Sequence, residues 1–171
     1  MKNIYLIGMM GSGKTTTGQE LARLLSLSFI DLDEQIVECT GKSINEIFSK
    51  EGESYFRDVE SELLIKTSYK TDCVVATGGG IVINPLNRER MKTTGLVIYL
   101  KTSVDILWER VKSKKDRPLL HGPDPKKALT NLYSERTPLY ESSTDKIFLT
   151  DRKTPKAVAL EIYETCFGKN K

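Results

Sequence analysis

At 171 residues the chain can bury a sizeable core in one domain and is too short for two of ordinary size. With 39% hydrophobic and 29% charged residues it reads as a soluble globular protein, which excludes disorder, collagen-like repeats and a disulfide scaffold as descriptions of the whole. A net charge of +3 is too small to point to nucleic acid, although it suits anionic small molecules.

In chain order, apolar runs of strand length alternate with helix-period segments, the pattern of a mostly parallel α/β sheet. Strands are expected at Asn3 to Gly8, Ser28 to Asp31, Cys73 to Thr77, Leu96 to Lys101 and Lys146 to Thr150. Each is rich in Ile, Val, Leu, Phe or Tyr, as strands covered on both faces should be. The first helix is expected over Gly13 to Leu25. Gly41 ends the next one, and Ser43-Ile44-Asn45-Glu46 reads as a capping box. Asn84-Pro85 and Thr154-Pro155 each set a capping side chain ahead of a proline suited to a first helical turn. From Lys112 to Asp124 the periodicity is lost. Five basic side chains (Arg110, Lys112, Lys114, Lys115, Arg117) face one acid, Asp116, and Pro118, Gly122 and Pro123 follow. This segment is read as a mobile flap over a site, a lid at about 112–124 on a single domain spanning 1–171.

Cys39, Cys73 and Cys166 form no CxxC pair, and His121 is the only histidine, so a Cys/His zinc site is not expected. No apolar run approaches the roughly 20 residues that span a bilayer. A cytoplasmic protein without a membrane partner is the expectation.

Gly8-Met9-Met10-Gly11-Ser12-Gly13-Lys14-Thr15 matches GxxxxGK[ST] in full, between an apolar strand and a helix. By composition alone such a match arises roughly once in two hundred chains of this length, so it is read as a phosphate loop and not as a plain turn. Its glycines let successive N–H groups turn inward around phosphate oxygens. The helix start adds partial positive charge, Lys14 a full one, and the Thr15 hydroxyl can ligate Mg²⁺. The nearest approach to a guanine-binding N/T-K-x-D run, Tyr69-Lys70-Thr71-Asp72, has the wrong first residue, which favours ATP over GTP.

An acidic residue ending a neighbouring strand normally helps hold the metal. Phe29-Ile30-Asp31 and Phe148-Leu149-Thr150-Asp151 both end suitably. Asp31 is followed at i+2 by Asp33, and in an extended segment the two would point the same way, one to the metal and one to an acceptor hydroxyl. The bland reading is that Asp33 merely caps a helix beginning at Glu34.

The phosphate loop with Thr16, followed by Phe29-Ile30-Asp31-Leu32-Asp33, resembles the shikimate kinase family. The resemblance continues through Phe56-Arg57-x-x-Glu60, Gly78-Gly79-Gly80, Arg117-Pro118-Leu119-Leu120 and Arg136-x-Pro138-Leu139-Tyr140, in order, over about residues 1 to 156. It implies a three-layer P-loop fold with a five-stranded parallel sheet in the order 2-3-1-4-5, helices on both faces and a lid. It implies phosphorylation of the 3-hydroxyl of shikimate from ATP with Mg²⁺, in aromatic amino acid biosynthesis, by a monomer. Lys14, Asp33 and Arg117 are then the catalytic set. ATP contacts fall on Gly11, Ser12, Gly13, Lys14, Thr15, Thr16, Arg110, Arg117, Lys153 and Pro155. Substrate contacts fall on Asp33, Arg57, Gly78, Gly79, Gly80 and Arg136, and the metal on Thr15 and Asp31. Each motif has an ordinary alternative: Arg57 and Glu60 as an exposed i,i+3 ion pair, the three glycines as a flexible turn, Arg136 as a surface arginine beside a proline that disrupts or ends a helix. A gluconate or nucleotide kinase, and a non-catalytic nucleotide- or shikimate-binding regulator, are the competing functions.

Overall fold

Strand β1 (Asn3–Ile7) shows why the chain folds in layers. All five side chains are buried, but the pleat parts them: Ile4 and Leu6 enter one apolar cluster, Tyr5 and Ile7 another. A strand that is apolar on both faces is stable only with helices above and below it. In the structure, a computed structural model that describes residues 2–114 and 116–168, β1 is the centre of a five-stranded sheet. Its partners are β2 (Ser28–Asp31), β3 (Cys73–Ala76), β4 (Gly95–Lys101) and β5 (Lys146–Leu149). The order is β2-β3-β1-β4-β5 and every pair is parallel. All five expected strands are present within a residue of their expected bounds, and the order is the one the resemblance implies.

Helices α1 (Lys14–Leu25) and α8 (Pro155–Cys166) cover one face; Leu21, Ala22, Val158 and Ile162 pack on Ile4, Leu6, Val74 and Leu100. The other face carries α2 (Leu32–Thr40), α3 (Ile44–Lys50), α4 (Gly52–Ser68), α5 (Pro85–Thr94), α6 (Val104–Val111) and α7 (Pro125–Ser143). Their Ile36, Ile47, Leu64, Met91, Leu107 and Leu129 close over Tyr5, Val75, Val97 and Tyr99. Each such aliphatic side chain removed from water contributes roughly 1.5–3 kcal/mol. The expected caps are in place: the Ser43/Glu46 capping box, Gly41 after α2, and Asn84 and Thr154 ahead of α5 and α8. Among the described residues no helix is long and apolar enough to cross a membrane.

Two local expectations are corrected. Pro138 neither disrupts nor ends its helix but lies inside α7. Ser134, whose carbonyl would have received the missing amide, is exposed with Pro138, so water can take that bond. Second, Asp33 caps nothing. The N-cap of α2 is Asp31, whose side chain accepts from the amides of Asp33 and Glu34, so the helix starts at Leu32 and Asp33 sits in its first turn. The segment from Asp31 to Asp33 is therefore not extended, and the i,i+2 argument does not apply to it.

Candidate active site

The parallel topology places the ends of β1, β2 and β3 at one edge, where the loops leaving them form a crevice. The loop after β1 turns through Gly11 and Gly13, both in the left-handed region with φ of 81° and 87°. That geometry aims the start of α1 at the crevice. Lys14 is buried, and its Nζ donates to the carbonyls of Gly8 and Met9 at 2.9 Å each, folding the loop around the ammonium. Thr15 donates its hydroxyl to Asp31 Oδ2 at 2.6 Å, while Asp31 Oδ1 caps α2. One carboxylate thus ties the phosphate loop to the end of β2. Asp151, the other strand-end acid, accepts instead from the backbone amide of Ser103.

Asp33 comes to the crevice from the first turn of α2, and its Oδ1 is buried without a hydrogen-bond partner. Burial, and then the Asp31 carboxylate, hold its carboxyl above the usual range, while Lys14, Arg117 and Arg57 pull it back. Lys14 is shifted the opposite way: burial pushes its ammonium down to about 8, although Asp33 and Asp31 favour the charge. Opposed displacements of neighbouring groups in a cleft are a mark of acid–base or charge-stabilising work.

Asp33 lines one cavity together with Arg57, Gly78, Gly79, Gly80, Arg117 and Arg136. Arg57 on α4 is not half of an exposed pair. Its Nη1 donates to Glu60 at 2.8 Å, Glu60 is 1% exposed, and Glu53 holds the other side of the guanidinium at 3.1 Å. Burial pushes the Glu60 carboxyl up to about 7 even against the Arg57 charge. The three glycines are not a slack turn either. A β-carbon on Gly78 would stand 2.2 Å from Glu60 Oε1 and 3.0 Å from Asp33 Oδ1, and one on Gly80 would stand 2.3 Å from the Arg57 guanidinium. Only glycine lets the charged groups of α2 and α4 close on this turn. Arg136, 4% exposed, enters from α7. A cavity lined by three guanidinium groups, Arg57, Arg117 and Arg136, and by the Asp33 carboxylate fits a small polyol bearing an anionic group.

The shikimate kinase family model matches residues 10–167. A shikimate kinase of Legionella pneumophila (strain Philadelphia 1) is 46% identical over 99% of this chain and 97% of its own length. The chain belongs to the shikimate kinase family. A shikimate kinase of Thermodesulfovibrio yellowstonii is 44% identical over 95% of this chain and 93% of its own. Among solved structures, shikimate kinase from Acinetobacter baumannii in complex with shikimate superposes with a TM-score of 0.96 at 39% identity, covering 100% of this chain and 96% of that one. A gluconokinase from Sinorhizobium meliloti, with a TM-score of 0.58 at 16% identity, shares the fold alone.

A second cavity adjoins the phosphate loop. Gly11, Ser12, Thr16, Arg110, Lys153 and Pro155 line it, and Arg110 Nη1 donates to the Gly11 carbonyl at 3.0 Å. Lys153 is turned onto Glu161 at 2.6 Å, at the rim. Arg117 lines both the phosphate-loop cavity and the cavity of Arg57 and Arg136, and each of the expected site residues lines at least one of the three cavities. In the basic run, Lys114 also lines the phosphate cavity, whereas Lys115 lies outside the described residues. His121 is exposed, and Trp108 packs on the core. Sequence reasoning did not find the apolar floor of the acceptor cavity, Ile44, Phe48 and Phe56, nor the buried state of Glu60.

The depressed Lys14 has a measurable consequence. With its ammonium pushed down to about 8, Lys14 is expected to be partly deprotonated in the ligand-free protein at pH 8, and polyphosphate favours the charged form. ATP binding at pH 8 is therefore expected to take up a fraction of a proton, and at pH 6 none at this site. Titration calorimetry in two buffers of different ionisation enthalpy reads this directly; equal apparent enthalpies at pH 8 would remove Lys14 as the titrating group.

Proposed function

We propose that the chain transfers the γ-phosphoryl group of ATP to the 3-hydroxyl of shikimate, with donor and acceptor held at opposite ends of one crevice. The observation that carries the reading is one cavity lined together by Arg57, Arg136 and Asp33, whose Oδ1 is buried without a hydrogen-bond partner and which also lines the cavity at the phosphate loop. Arg57 and Arg136 take the substrate carboxylate, each as a planar fork, with Glu60 and Glu53 holding Arg57 in place. The Gly79 amide and the close-packed backbone of Gly78 and Gly80 shape the turn against the ring. Asp33 accepts the hydrogen bond of the attacking hydroxyl and takes its proton at Oδ1 as transfer proceeds.

On the donor side, the amides of Gly11, Ser12 and Gly13, with Thr16, cradle the phosphates, and Arg110 and Pro155 flank the base. Lys153 contacts ATP at the rim after leaving Glu161. In a loose phosphoryl-transfer transition state, negative charge spreads over the equatorial oxygens. Lys14 from below and Arg117 from above neutralise it, more strongly in a water-poor crevice than in solvent. Segment 112–124 acts as the lid that carries Arg117 over the phosphates and excludes water. Thr15 Oγ1 and Asp31 Oδ2, 2.6 Å apart, are hard oxygen donors of the kind Mg²⁺ accepts alongside phosphate and water. When bound, Mg²⁺ supplies charge neutralisation to the phosphates.

The competing sugar-acid and nucleotide kinases share this fold, so the acceptor decides between them. With ATP and Mg²⁺, shikimate is expected to be phosphorylated far faster than gluconate or AMP in a coupled ADP-release assay. Equal or better turnover with either alternative overturns the assignment, and nucleotide binding without turnover on any acceptor favours the regulator.

A further inference from the structure

We infer that Tyr140 is a positioning residue for the acceptor, its buried hydroxyl pinning the glycine turn against the phosphate loop. The turn 78–80 has no side chains to hold it, and glycine has the most conformational freedom to lose. Its carbonyls are nonetheless all taken. Gly78 accepts from the Ile81 amide at 3.2 Å and Gly80 from the Ile83 amide at 3.0 Å, both within the short 3₁₀ turn Ile81–Ile83 that follows. The Gly79 carbonyl accepts instead from Tyr140 Oη, a residue 61 positions away on α7.

The position of that hydroxyl distinguishes it from an ordinary buried phenol finding a partner. It also contacts Met9 Sδ at 3.6 Å, inside the phosphate loop. Arg136, one helical turn earlier, is close enough to act on its ionisation. The backbone of Gly79 is wedged in the same place: a β-carbon there would lie 3.4 Å from the Met10 amide, 3.6 Å from the Gly8 carbonyl and 3.6 Å from Arg136 Nη1. One hydroxyl therefore joins the acceptor turn, the donor loop and the helix that carries a carboxylate-binding arginine. The ring beneath it is fixed by stacking on Tyr99, with centroids 4.9 Å apart.

This inference rests on the acceptor reading given above, and its test separates the two. Tyr140→Phe keeps the ring and its stack but leaves the Gly79 carbonyl without its donor. The KM for shikimate is expected to rise about tenfold, with kcat and the KM for ATP within about threefold of the parent. Tyr99→Phe, which removes the neighbouring hydroxyl, is expected to leave all three constants unchanged. In the ligand-free protein, amide hydrogen exchange across residues 77–83 is expected to quicken in Tyr140→Phe and not in Tyr99→Phe. An unchanged shikimate KM, equal rises in both KM values with a lowered melting temperature, or unaltered exchange of the turn each overturns the positioning role. The exchange measurement needs no acceptor, so it stands even if the parent protein proves not to use shikimate.

Discussion

Asp33→Asn is expected to lower kcat by about a thousandfold while nucleotide affinity stays within about threefold. Asparagine matches the shape of aspartate and keeps one acceptor oxygen, so the variant can still meet an acceptor hydroxyl. It cannot take the proton, and its amide would compete for the hydroxyl as a donor. The cap of α2 would be unaffected, because Asp31 supplies it. Fold stability is expected to hold or rise, since the native carboxylate is costly to bury: its carboxyl lies above the usual range because of burial and Asp31. The sign of the pH dependence follows. A raised carboxyl must lose its proton before it can accept one, so parent turnover falls as pH drops through the folded-state value. Glu60, itself pushed up to about 7, couples to Asp33, so the acidic limb belongs to the pair. Residual activity of Asp33→Asn should lack Asp33's part of that limb. Near-parent kcat by steady-state assay would remove Asp33 from proton transfer and leave it only an orienting role.

How far the site was readable depends on which forces act locally. The strands and the phosphate loop were legible because pleat periodicity and the glycine requirement at positive φ are written into neighbouring residues. Asp33 was selected by the resemblance and by a spacing argument that fails: the extended pair does not exist, since β2 ends at Asp31 and α2 begins at Leu32. Local rules allow either aspartate to cap α2. The choice follows from Thr15, 16 residues upstream, which also holds Asp31. The spacing of Arg57 and Glu60 left an exposed i,i+3 contact open as an alternative, because spacing on a helix says nothing of what covers it. Its burial depends on a glycine turn that arrives from another strand. Pro138 misled in the other direction, because a helix interior tolerates proline where the freed carbonyl is open to water. Tyr140 closes the last motif of the resemblance, but no local rule gives its hydroxyl a role. The periodicity of α7 gives it a core position, and only the fold brings its hydroxyl to Gly79.

Lys14→Met is expected to cut kcat/KM by a thousandfold or more, on the order of 4 kcal/mol of transition-state stabilisation, without weakening the ligand-free fold. The two expectations come from one fact. Lys14 is 9% exposed, and burial depresses its ammonium to about 8, against an ordinary 10.5. Folding at neutral pH therefore works against a solvation cost of roughly 3 kcal/mol for this charge. The contribution of a lowered lysine is present above its unfolded value and lost as pH falls through about 8. Parent stability should thus climb between pH 8 and 10.5 by an increment that Lys14→Met lacks. Against this, the variant loses the donors to the buried Gly8 and Met9 carbonyls, worth about 1 kcal/mol each. The balance favours an equal or higher melting temperature for Lys14→Met at pH 7. On the proposed function, phosphoryl charge offsets this buried cation only when substrate is bound. A melting temperature lowered by several degrees would show that Lys14 holds the loop together structurally, and the lost activity would then report a collapsed site and not missing charge.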